Sequence, residues 1–157
     1  MEFSAATINI YVDRGMNGLR AALARVDDTT VNQRPNGSAT NSVAVLVVHA
    51  CAAARYWIEH VGAGRPTARV RDDEFTAVAG VEELHAIVDA AHADVRSAVI
   101  AMADRTGEPD LVGRPELYGG DRSDGALVLH ALEELLQHLG HVEATIDALE
   151  AGAAGAR

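Results

Sequence analysis

Four side chains late in the sequence, His130, Glu134, His138 and His141, carry groups that bind metal ions readily. On a helix advancing about 100° per residue they fall within about 80° of one another, so all four share one face. An i, i+4 pair of Glu and His, or of two His, aims two donor atoms at one point, which is how helical bundles build metal sites from facing helices. Imidazole together with carboxylate suits zinc, nickel or iron. A fifth candidate, His49, interrupts the most apolar run of the chain, residues 43–54. A buried polar group left unsatisfied costs roughly 1–3 kcal/mol. A histidine in that run therefore needs a partner, which can be a metal ion or a hydrogen-bonding carbonyl or carboxylate.

The segments that must position these groups have helical periodicity. In residues 4–26, Ile8, Tyr11, Val12, Leu19, Leu23 and Val26 recur at spacings near three and four, although Gly15 and Gly18 weaken the pattern. Residues 27–40 are polar and contain Pro35, Asn36, Gly37 and Ser38, the composition of a long connection. Asn41 or Ser42 then caps a second helix over 42–61 that is apolar nearly all round, which places it at the centre of the fold. A third helix over 82–102 presents Leu84, Ile87, Val88, Ala91, Val95, Val99 and Met102. Glycines and prolines over 106–124 predict a second long connection, and Ser123 or Asp124 caps a last helix running to Glu150. The expectation is an all-α four-helix bundle in one domain over residues 1–150, with 151–157 a frayed tail.

Composition narrows the function. A net charge of −10 disfavours nucleic-acid and anionic-membrane partners. All 13 basic residues are Arg, so a Schiff-base lysine and a P-loop lysine are both excluded. The single cysteine, Cys51, cannot form an internal disulfide, and the N-terminal residues lack the layout of a secretory signal, so the expected location is the cytoplasm. The run 43–54 is shorter than the ~20 residues that span a bilayer. Cys51 is two residues from His49, about 200° round the helix, and is expected to be a small core residue rather than a ligand. Tyr56 and Trp57 are expected to be packing anchors, His85 and His92 structural residues, and His60 a partner of the helix C-terminal dipole. The charged stretch 69–75 either lines the mouth of a pocket beside the metal-binding face or, as its composition favours, is a solvated run.

Several segments resemble one known family. They are Asn41-Ser42 leading to Val47-Val48-His49, then Gly64-Arg65-Pro66, then Arg71-Asp72-Asp73-Glu74-Phe75, and most specifically His130 to His141. Together they resemble the DinB/YfiT-like metal-binding four-helix bundles, close to the mycothiol-dependent maleylpyruvate isomerase-type branch. The resemblance implies an up-down-down-up bundle. It also implies one divalent metal ion, zinc, nickel or iron, held by His49, Glu134 and His138, with the Glu at the middle position typical of that branch. His130 and His141 flank this pair on the same face, where they either orient the ligands or are polar residues at the bundle edge. The implied activity is a metal-dependent thiol S-transferase or isomerase that brings a low-molecular-weight thiol such as mycothiol to an electrophile. The alternative is a non-enzymatic metal-binding or ligand-binding bundle, assembled as a homodimer.

Overall fold

The computed structural model describes residues 4–106 and 114–155; Gly107, Pro109 and Gly113 of the second predicted connection lie outside them. The described chain is helical, without strands. Helix α1 (Ala5–Leu23) begins at Ser4, whose hydroxyl accepts from the Thr7 amide. Helix α2 (Val43–Arg55) is capped in the same way by Ser42 and continues without a break into a π-helical turn, Tyr56–Gly62. A single helical turn, α3 (Arg71–Glu74), follows, then the long helices α4 (Val81–Ala103) and α5 (Asp124–Gly155). At the start of α5 the Ser123 hydroxyl accepts from the Ala126 amide. The charged stretch 69–75 thus contains a helical turn. The last helix also runs past Glu150 to Gly155, because the alanines there favour helix without needing a partner.

The four long helices form a ring in which α1 and α2 each lie between α4 and α5. Their directions follow from cross-helix neighbours. Gly15 faces Leu135 and Gly18 faces Leu139, so α1 and α5 are parallel. Arg20 pairs with Asp89 while Asp13 pairs with His92 and Arg96, so α1 and α4 are antiparallel. Arg55 meets Asp94 and Gly62 meets Met102, which makes α2 and α4 parallel. Trp57 packs on His130 and His49 on His138, which makes α2 and α5 antiparallel. The arrangement is up-down-down-up, as the resemblance implies.

Helix α2 is the central element. Ten of its 13 residues are buried, and only Val48, Ala52 and Arg55 reach the surface. Residues 37–62 are long and apolar enough to cross a bilayer by composition alone, but most of the segment is covered by the other helices, as a core helix is. Fully buried Leu, Ile and Met side chains such as Met16, Leu46, Leu84 and Leu135 each contribute roughly 1.5–3 kcal/mol of transfer free energy.

The first long connection is tied down at several points. Val31 is fully buried and its carbonyl accepts from the Ala44 amide. The Asn32 side chain exchanges two hydrogen bonds with the Ala79 backbone, and Asp28 Oδ1 accepts from the Val81 amide at 2.7 Å. That last bond caps α4, which lacks a side-chain cap of its own and begins after Gly80. On the opposite side, His92 takes a structural role: its Nε2 lies 2.6 Å from Asp13, and its Nδ1 lies 3.0 Å from the Arg20 guanidinium. A guanidinium only donates, so the His92 proton sits on Nε2 and is given to Asp13. Hydrogen bonds from Arg96 and His92 hold the Asp13 carboxyl below the usual range.

The two glycines that weaken the helical pattern of α1 allow α5 to approach closely. A Cβ on Gly15 would lie 2.5 Å from Leu135 Cδ2 and 2.6 Å from its Cγ, inside a side chain that is itself buried. Gly140 on the exposed side of α5 has open space around it. Gly15→Ala is therefore expected to destabilise the fold by about 1–3 kcal/mol through overpacking despite its better helix propensity. Gly140→Ala is expected to stabilise it by about 0.5–1 kcal/mol. Denaturant midpoints measured on the two variants should move in opposite directions.

Candidate metal centre

The antiparallel contact of α2 with α5 places His49 opposite Glu134 and His138. His49 sits on the buried side of α2 at 6% exposure, and its ring meets that of His138 edge-on with centroids 4.6 Å apart. Glu134 and His138 are one turn apart on α5, and their side chains remain partly open to solvent. One ligand atom from each of His49, Glu134 and His138 can be chosen so that all lie within 4.8 Å of one another. His138 Nε2 and Glu134 Oε2 are 3.6 Å apart, beyond a hydrogen bond. Two ligands on one tetrahedral ion at about 2.0–2.2 Å are separated by about 3.3–3.6 Å.

The electrostatics suit a cation. Burial lowers the pKa of His138, the nearby His49 lowers it further, and the Glu134 charge opposes the shift. At neutral pH the ring is therefore neutral and keeps a lone pair. Among the described residues the buried His138 Nδ1 atom has no hydrogen-bond partner.

His49 is held from behind by Glu74, a residue of the charged stretch 69–75 whose composition gave no sign of this contact. Its Nδ1 lies 2.6 Å from Glu74 Oε2, and Glu74 is only 6% exposed. Arg69 grips the same carboxylate with two bonds, Nε to Oε1 at 2.5 Å and Nη2 to Oε2 at 3.0 Å. Burial raises the Glu74 pKa, but the bonds from Arg69 and His49 outweigh it and hold the carboxyl below the usual range. The Phe75 ring closes over His49 at 5.0 Å, and the Arg69 guanidinium lies over Tyr56 at 5.1 Å. The run 69–75 is thus solvated only in part: Arg71, Asp72 and Asp73 are exposed, while Glu74 points inward. The available signal was the buried histidine itself, whose need for a carboxylate partner was legible, and an acid followed directly by Phe75.

The remaining candidates are distributed along the same face. His130, two turns before His138, packs edge-on against Trp57 with ring centroids 4.6 Å apart. His141 is exposed and acts on His138 through charge, helping to lower its pKa. His60 Nδ1 donates to the Arg65 carbonyl at 2.7 Å, fastening the chain just after the π turn. Cys51 points away from the triad into an apolar groove of about 350 Å³ between α2 and α4, and burial pushes its thiol up to about 12. A second, more polar cleft of about 340 Å³ lies behind Glu74, walled by Tyr56, His60 and Arg69, whereas the triad opens on the side of Glu134 and His138.

No curated protein and no solved structure matched the chain. A family model described as mycothiol-S-transferase matches residues 7–149, from the first turn of α1 to the last third of α5 and across all three residues of the triad. By that match the chain belongs to the mycothiol-S-transferase family.

Proposed function

We propose that this chain is a divalent-metal-dependent S-transferase that joins a low-molecular-weight thiol, mycothiol by family, to a small electrophile. On this reading His49, Glu134 and His138 hold one zinc, nickel or iron ion. The observation that carries it is the 3.6 Å spacing of His138 Nε2 and Glu134 Oε2 opposite His49, within a chain of this family. Bound there, the ion supplies a Lewis acid that favours the thiolate form of a thiol brought to it.

The protein's own groups set the conditions for that chemistry. Two neutral imidazoles and one carboxylate offset only one of the ion's two positive charges, so the site favours an incoming anion such as a thiolate. The apolar wall of α2 limits water on the His49 side, and partial exposure of Glu134 and His138 leaves the other side open to the substrates. His141 adds to the local field and His130 backs the same face through Trp57. The reaction forms one carbon–sulfur bond: the thiol loses its proton, and the electrophile takes up the sulfur electron pair either by expelling a leaving group or by adding across a double bond. The thiol comes from the substrate, because the protein's single cysteine is buried and held protonated.

Protein purified without a metal-affinity tag should contain a divalent ion by elemental analysis. Removing it should lower the melting temperature, since ligands from α2 and α5 are tied together, and should cost about 2.7 kcal/mol of stability relative to protein with free ion at about a hundred times Kd. With mycothiol and a panel of electrophiles, metal-dependent conjugation should be abolished in His49→Ala and His138→Ala and reduced at least tenfold in Glu134→Gln, with helical circular dichroism retained. Metal binding without thiol binding or conjugation would return the chain to the alternative of a non-enzymatic bundle. Cys51→Ala should conjugate at the wild-type rate, and a thiol-specific reagent at neutral pH should modify Cys51 only after denaturation.

A further inference from the structure

The contacts behind His49 form a chain of their own: Tyr56 under Arg69, Arg69 on Glu74, Glu74 on His49 Nδ1. Both Glu74 oxygens accept from the Arg69 guanidinium, so the carboxylate can only accept from His49. The proton between them therefore belongs to Nδ1, and the His49 lone pair is left on Nε2. Without that acceptor a neutral imidazole can carry its proton on either nitrogen, and its ring can turn. From this geometry we infer that Glu74 and Arg69 are positioning residues that fix the tautomer and orientation of His49 and thereby set the metal affinity of the site.

Several features single this contact out from an ordinary buried ion pair. Glu74 is presented by a one-turn helix whose packing is against α2, and it lies among residues, Arg71 to Asp73, that stay in solvent. Only the last residue of that helix turns inward, onto the one polar side chain buried within α2 itself, His49. Arg69 is 14% exposed, and its planar fork matches the carboxylate with two bonds, a geometry that lysine cannot reproduce. His138, by contrast, has no such support on its Nδ1. Of the two candidate imidazole ligands, His49 is the one held in place before an ion arrives. Carboxylates that take the far nitrogen of a metal-bound histidine typically change affinity 10–100-fold when removed.

The inference rests on the metal reading above, and its test separates the two. Zinc affinity is measured by competition with a chromophoric chelator for the wild type, Glu74→Gln, Glu74→Ala, Arg69→Lys and, as reference, His49→Ala. The cobalt(II) spectrum is recorded for each, and the His49 tautomer is read by nitrogen-15 NMR in the metal-free protein. Wild-type His49 should carry its proton on Nδ1. Glu74→Ala should lose 10–100-fold in affinity, shift the tautomer toward Nε2–H and alter the cobalt spectrum. Glu74→Gln should fall between the two because its amide oxygen still accepts from Nδ1, and Arg69→Lys should weaken binding while leaving Glu74 in place. If Glu74→Ala does not fold, the Gln and Lys variants decide. Wild-type affinity in both of them, or a wild-type His49 protonated on Nε2 alone, overturns the relay. Wild type that binds neither zinc nor cobalt, or His49→Ala that binds them as tightly as wild type, overturns the metal reading and the relay with it.

Discussion

An imidazole in the middle of an apolar helix is the constraint around which this structure is organised. His49 sits on the covered side of α2, where each ring nitrogen must find a partner inside the protein. Glu74 meets one nitrogen from the side of α3, and the ring lies edge-on to that of His138 on α5. The burial of His49 alone therefore does not call for a metal ion, since a carboxylate already answers half of its hydrogen bonding. The stronger indication comes from His138 and Glu134, which stand too far apart for a hydrogen bond and at the spacing of two ligands on one ion.

Meeting that constraint requires helices that approach closely and hold their register. Aromatic residues are only 4% of the chain, and the core is filled largely by Ala, Val and Leu. Small side chains bring backbones together, as at Gly15 and Gly18 where α5 presses Leu135 and Leu139 onto α1. At Gly62 the same device operates at the end of the π turn, where a Cβ would strike Met102 and Leu127. Register between helices is fixed by polar contacts across the seams, among them Asp13 with His92 and Arg96, and Arg25 with Asp147 and Glu150. Such partly exposed pairs contribute little stability singly, but each disfavours a one-turn slip of its helix.

The site divides into a fixed half and an adaptable half. On the α2 side, Arg69, Glu74 and Phe75 immobilise His49 in a covered pocket. On the α5 side, Glu134 and His138 are partly solvated and lack comparable support. On the proposed reading a centre of this form would take an ion onto a preset nitrogen and close with less restrained side chains, which would lower the ordering cost of binding. The chain belongs to the mycothiol-S-transferase family, and on the proposed reading the open flank would be the side from which a thiol and its electrophile approach.

The sequence by itself determined the four long helices, because hydrophobic spacing near 3.6 is a local property that tertiary contacts here reinforce rather than override. It also determined the common face of Glu134 and His138, since residues four apart on a helix are neighbours whatever the rest of the chain does. Pairing them with His49 rested on family resemblance, and only the packing of α2 on α5 brought the three together. Tertiary structure alone decided the role of Glu74. The three consecutive acidic residues Asp72, Asp73 and Glu74 have the same chemistry in one dimension, and only the packing of α3 on α2 selects which of them is buried. It alone explained Gly15 and Gly18 too: a missing side chain weakens a helix considered singly, whereas against a second helix it is what allows contact.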